Sequence, residues 1–136
     1  MPMQGGRMEI FMIHNIPEVK LGIIAVSRDC FVISLSEKRR QAVTESFKKL
    51  GGELFEAKTV VENEKDMQKA VAEVQAAGCN ALVVFLGNFG PETPETLIAK
   101  YFNGPVMYVA AAEERGDKMC IRDRGKRAHF AIGFTT

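Results

Sequence analysis

The sequence predicts an α/β protein: a three-layer fold with a mainly parallel, four-stranded sheet of the flavodoxin or Rossmann type. The first observation is the segment Ala81–Glu92, where a continuous apolar run ends in a polar loop containing Gly and Pro. A run without alternation is typical of a strand buried on both faces, as in a parallel sheet. The second is that strand-like and helix-like segments alternate along the chain, which favours right-handed βαβ units.

Composition is that of one ordinary globular domain. The chain has 136 residues, of which 46% are hydrophobic and 26% charged, and its net charge is +1. The interleaved charges give no basic face for nucleic acid and no reason to expect binding to an anionic membrane. No apolar run is long enough to span a bilayer, and the start lacks a signal-peptide pattern, so we expect a cytoplasmic protein.

The first half of the chain reads as strand, helix and strand. A strand is predicted over Val19–Val26. A helix follows it, in which Ser34 and Glu37 are predicted to form an N-terminal capping box and Gly51 is the predicted C-terminal stop. The apolar positions of this helix are Leu35, Ala42, Val43, Phe47 and Leu50, and its predicted solvent face carries Lys38, Arg40, Glu45 and Lys48. Glu53–Val61 contains a short strand, at Leu54–Ala57 or Thr59–Val61, nearer the sheet edge.

The second half repeats the alternation. Asn63 is predicted to cap a second helix, whose buried stripe is Met67, Ala70, Val71 and Val74 and whose stop is Gly78. After the central strand, a third helix starts with Thr93 as N-cap and Pro94 at the first helical position. Its apolar face is Leu97, Ile98, Tyr101 and Phe102. Pro105–Ala111 is the fourth predicted strand.

The ends of the chain read differently from the middle. We divide it into a loose leader at 1–15, an amino-terminal α/β domain at 16–118 and a tail at 119–136. Met119–Arg124 matches a frame translation of a transposon adapter used in sequencing libraries, which predicts an artefactual or misjoined tail. On this interpretation the sheet stops after four strands, with an edge that a longer protein would pair or cover.

The predicted binding site lies where the first and third strands end, because open α/β sheets bind ligands at the carboxyl ends of their strands. The first βα turn, Ser27–Ser34, has no glycine to cradle a phosphate, and Glu92 and Glu95 at the third helix start would repel an anion. The site therefore favours an uncharged ligand. Arg28, Asp29, Asn88 and Phe89, with Glu92 just beyond, suit a hydroxyl-rich molecule such as a sugar.

Each of these residues also suits a structural role. Arg28 and Asp29 also suit an ion pair across the sheet end. Asn88 suits a turn with a left-handed backbone, and Phe89 suits a cap on the core.

No catalytic set is visible. There is no Ser/His/Asp or Cys/His arrangement, and His14 and His129 lie in the leader and the tail. The cysteines, Cys30, Cys79 and Cys120, have no metal-ligand spacing and read as reduced thiols. We therefore assign neither catalytic residues nor a metal site to this chain.

Several separated motifs resemble one family. Ile16–Phe31, Lys38–Arg40, Gly87–Pro94 and Ala110–Glu114 are together similar to the amino-terminal domain of the L-fucose isomerase-like proteins, which include the L-arabinose isomerases. The resemblance spans roughly residues 15 to 117.

The resemblance implies a fragment of a metal-dependent aldose–ketose isomerase, inactive alone. It implies manganese or a similar divalent metal, held with the acid/base groups in later domains, and a homo-oligomer in which this domain helps to close the active site. By analogy Arg28, Asn88 and Phe89 contact the sugar, and Asp29 and Glu92 are further candidates. The alternative is a free-standing flavodoxin-like binding or regulatory domain without catalysis.

Overall fold

The computed structural model describes residues 16–112 and 132–135, and it has an α/β architecture. The elements in chain order are β1 (Leu21–Ser27), α1 (Ile33–Lys49), β2 (Leu54–Glu56), α2 (Glu64–Ala76), β3 (Ala81–Asn88), α3 (Glu92–Tyr101), β4 (Val106–Ala110) and β5 (Ile132–Thr135). No helix within the described ranges is both long and apolar enough to cross a membrane.

The strands form a sheet in the order β2-β1-β3-β4-β5, in which β1 to β4 are mutually parallel. This confirms the predicted fold class, and β2 lies at the edge as predicted. An isolated bridge between Val26 and Val61 extends the pairing beyond β2, so both proposed positions for that strand contribute. The order changes direction at β1 and β3, which places their carboxyl ends side by side at the switch point of the sheet.

The core has two unequal halves, one on each face of the sheet. On one face α2 and α3 cover the sheet, and the buried residues are Ile24, Val26, Ala57, Val61, Met67, Ala70, Val71, Val74, Leu82, Val84, Ile98, Phe102 and Val106. On the other face, the core cluster consists of Ile23, Val83 and Phe85. Burial on both faces explains why β1 and β3 read as continuous apolar runs.

The prediction for helix α1 is wrong in two respects. The helix begins at Ile33 with Val32 as N-cap, and no side chain caps it, so Ser34 and Glu37 do not form the expected capping box. Its buried residues are Ser36, Arg40 and Thr44, and Arg40 was expected on the solvent face. Arg40 is 6% exposed because its Nε binds Glu56 Oε1 on β2 at 2.6 Å.

The other two helices follow the sequence more closely. Asn63 caps α2 as predicted, accepting from the amides of Lys65 and Asp66 at 3.0 and 3.1 Å. Helix α3 begins at Glu92 with Pro91 as N-cap, so the predicted start at Thr93 is late. Its predicted apolar face is right for Ile98 and Phe102, whereas Tyr101 is 55% exposed.

Strand β5 changes the expectation for the sheet edge. Ile132–Thr135 pairs antiparallel with β4, so the predicted uncovered edge is wrong for this structure. Free backbone groups on an edge strand can pair with any extended segment, which sequence periodicity does not specify. The leader at 1–15 and most of the tail at 119–136 lie outside the described residues, and their assignment stays a prediction.

Candidate ligand-binding site

The carboxyl ends of β1 and β3 meet through an irregular register. Val26 pairs with Leu86, but Ser27 pairs with Asn88, so Gly87 is an extra residue on β3. Such a bulge re-aims the side chains that follow it. The residues after the bulge therefore leave the sheet in a direction that strand alternation does not predict.

Helix α1 holds this bulge against the sheet. Ser36 Oγ donates to the Val26 carbonyl at 2.8 Å, and Arg39 Nη1 donates to the Gly87 carbonyl at 2.5 Å. A Cβ at Gly87 would lie 2.8 Å from Ser36 Cα, which is backbone and cannot move aside. Glycine is thus required here for the close approach of helix and strand.

Asn88 is buried beneath the site. The residue is 8% exposed, and its Nδ2 donates to the carbonyl of Val32 at 3.0 Å. Its Oδ1 is buried and has no hydrogen-bond partner among the described residues. The left-handed backbone conformation that we considered for Asn88 occurs instead at the next residue, Phe89.

Phe89 has that left-handed conformation, with φ of 45°. Its ring stacks on Phe31 from the β1–α1 loop, with centroids 5.7 Å apart and an interplanar angle of 14°. Phe89 is 49% exposed, so it does not cap the core. A non-glycine residue in this region is strained, and such strain is concentrated at functional sites.

Arg28 and Glu92 form an ion pair between the segments that follow β1 and β3, the same segments that carry the two rings. Nη2 of Arg28 is 3.5 Å from both carboxylate oxygens of Glu92, and the two side chains are 42% and 79% exposed. The predicted alternative, a pair with Asp29, is not formed, and Asp29 lies exposed in the turn. An ion pair this open contributes little to stability and is readily exchanged for contacts with a polar ligand.

Glu95 is a further acidic group that sequence reasoning did not single out as a site residue. Its Oε2 is buried without a hydrogen-bond partner in the described part of the chain, and a Cβ at Gly90 would overlap this carboxyl group. Burial raises the pKa of Glu95, and the negative charge of Glu92 adds to this, while Arg28 opposes it. The hydroxyl of Tyr108 on β4 donates to the backbone carbonyl of Glu95 at 2.8 Å.

The structure thus brings most of the predicted residues to one edge. Arg28, Phe89 and Glu92 share an open surface, Asn88 supports it from below, and Asp29 lies in the adjoining turn. Sequence reasoning missed the partner ring of Phe31, since no local pattern reports contacts between residues that are far apart in the chain.

Comparison with known families decides what this domain is. The family model for the fucose/sulfoquinovose isomerase N-terminal domain matches residues 22–126. The chain belongs to this family. The match confirms the resemblance found from the motifs, and no curated protein sequence matches the chain.

Membership of the isomerase family raises the question of a metal. Within the described ranges, no group of three or more His, Cys, Asp or Glu side chains is arranged to hold a metal ion. The manganese that the resemblance implies thus has no candidate ligand set among the described residues.

Proposed function

We propose that this domain forms one wall of the sugar-binding site of a metal-dependent aldose–ketose isomerase of the L-fucose/L-arabinose type. The observation that carries the proposal is the Phe31–Phe89 stack, with Phe89 half exposed, and the open Arg28–Glu92 pair at the same strand ends, in a chain of the isomerase family. The wall contributes substrate contacts. The proton transfers of the isomerisation are supplied by other domains.

The aromatic pair suits the apolar face of a sugar ring. Phe89 retains 49% of its surface exposed after stacking on Phe31, so the pair still offers an aromatic surface. Carbohydrate sites combine such a surface with a few polar groups that fix orientation. Arg28 supplies N–H donors and Glu92 supplies acceptors, which together match neighbouring hydroxyl groups.

Charge favours a neutral sugar over an anionic one. The family description names both fucose and sulfoquinovose, and the latter carries a sulfonate. The first turn of α3 contains Glu92 and Glu95, whose negative charges cancel the attraction of a helix N-terminus for anions. We therefore infer that a neutral sugar is the substrate class.

The wall is open and needs a second surface. With Glu92 at 79% side-chain exposure and Phe89 half exposed, a bound sugar would keep much of its own surface in water. Another domain, in the same subunit or a neighbouring one of a homo-oligomer, would cover it. A divalent metal bound there would polarise the sugar oxygens.

A titration of the isotope-labelled chain tests the proposal. We expect L-fucose to shift the amide signals of Arg28, Phe31 and Phe89 with millimolar affinity, and sulfoquinovose to shift them less. The purified chain is expected to show no isomerisation, even with manganese, because the acid/base groups lie elsewhere. Measurable turnover would contradict that expectation.

Two alanine variants make the titration specific. Phe89→Ala should abolish the L-fucose shifts, whereas Tyr101→Ala, which removes an exposed ring at the far end of α3, should leave them unchanged. Equal shifts in both variants, or shifts confined to residues away from the aromatic pair, would rule out this wall as the sugar surface and favour a binding domain of another kind.

A further inference from the structure

One buried side chain is connected to both loops that carry the aromatic rings. Asn88 directly precedes Phe89, and its Nδ2 donates to the carbonyl of Val32, which directly follows Phe31. Asn88 is 8% exposed, so this bond is largely protected from competing water. This hydrogen bond therefore joins the two ring-bearing loops directly, across 56 residues of sequence.

The loop after Asn88 needs such support. Phe89 has φ of 45°, a conformation in which Cβ crowds the backbone. Without external constraints, a phenylalanine would relax to negative φ and turn its ring away. On the strand side, Arg39 binds the Gly87 carbonyl. Asn88 supplies the corresponding constraint across to the β1–α1 loop.

We infer that Asn88 is a positioning residue: it keeps Phe31 and Phe89 stacked and affects a ligand only through them. This differs from the direct sugar contact that the family resemblance implied for Asn88. The part of the inference that concerns a ligand rests on the proposed sugar wall. The part that concerns the rings does not.

Substitution by aspartate separates the two roles. Asn88→Asp keeps the size and an acceptor oxygen but removes the Nδ2 donor and places a carboxylate against the Val32 carbonyl. If Asn88 acts through the rings, the ring-to-ring NOEs are lost, and the amide–Hα coupling of Phe89 changes to that of negative φ. Sugar affinity then falls by about fivefold or more, the equivalent of one hydrogen bond.

Asn80→Asp is the matched control. The Nδ2 of Asn80 donates to the Glu18 carbonyl at 2.8 Å, at the opposite end of β3. Its loss should leave the rings and the sugar affinity unchanged. Retained ring NOEs in Asn88→Asp would overturn the inference. If Asn88→Asp loses the ring NOEs while the wild-type chain binds no sugar, the positioning role is upheld and the proposed function is rejected.

A measurement on the wild-type chain covers the case in which Asn88→Asp does not fold. The Nδ2 protons of Asn88 should exchange with solvent at least about tenfold more slowly than those of exposed Asn103, because the Asn88 amide is buried and bonded. Equal exchange rates would show that the bond to Val32 does not constrain the loops, and would overturn the inference.

Discussion

The buried ion pair between Arg40 and Glu56 gives the sharpest prediction about stability. It joins α1 to the edge strand β2 at 2.6 Å, and the two side chains are unequally buried, with 7% of Arg40 and 27% of Glu56 exposed. Arg40 Nη1 is also buried without a partner among the described residues. Removing either partner leaves the other charge unpaired, and the resulting loss of unfolding free energy depends on how well water solvates that charge.

The two single variants should therefore differ. Glu56→Gln leaves a nearly inaccessible guanidinium without its counter-charge and should cost about 3 kcal/mol of unfolding free energy, the lower end for breaking a buried pair. Arg40→Met leaves a carboxylate that water partly solvates, and it keeps an apolar stem in place, so about 1–2 kcal/mol is expected. The double variant should cost no more than Arg40→Met alone.

Urea unfolding at pH 7, followed by far-ultraviolet circular dichroism, measures these values, and an unchanged m-value confirms that the variants unfold from a similar native state. Lys69→Met is the control, because the Lys69–Asp66 pair is long, at 3.9 Å, and Lys69 is 69% exposed. It should change stability by less than about 0.5 kcal/mol. Equal costs for the two Arg40–Glu56 single variants, or additive costs in the double variant, would refute the reasoning.

Two carboxyl groups should give opposite pH dependences. Burial alone raises the pKa of Glu73, but hydrogen bonds from the Thr59 hydroxyl and from the amides of Lys58 and Thr59, together with the Lys58 charge, bring it below its ordinary value of 4.5. Its stabilisation is present above that value and is lost as pH falls through the folded-state pKa, so Glu73→Gln should cost about 1 kcal/mol at pH 7 and progressively less in acid. The pKa of Glu95 is raised, so its stabilisation is present below pH 4.5 and is lost as pH rises through the folded-state pKa. Urea unfolding midpoints at pH 4 and pH 7 should show that the stability of Glu95→Gln increases relative to that of the wild type as pH rises. A difference in midpoint that does not change with pH would contradict the buried environment assigned to Glu95.

The sequence alone established the architecture because each of its signals is local. The apolar run of β3, the Asn63 cap and the stop at Gly78 depend on residues within a few positions of one another, and the structure confirms each of them. The family followed from motifs read in order, and the family match confirms it.

Helix α1 shows where local reasoning stops. Its apolar residues predicted a buried stripe, but the face that meets the sheet carries Ser36, Arg40 and Thr44. Arg40 can be buried because Glu56, on a strand 16 residues away, neutralises it. Helical periodicity alone predicts that a charged residue such as Arg40 lies in solvent. Its burial depends on the position of Glu56, which only the tertiary structure gives.

At the candidate site, the sequence determined which residues gather at the sheet edge and that two carboxylates lie in the first turn of α3. The carboxyl ends of parallel strands lie at the same edge of the sheet. Acidic residues in the first turn of a helix repel negative charge wherever that helix lies in the fold. Tertiary structure decided the roles within that set. The bulge at Gly87 placed Asn88 inside and Phe89 outside, and the stack on Phe31 joined rings 58 positions apart in the chain. Contacts across such separations depend on register and packing, which no local pattern encodes.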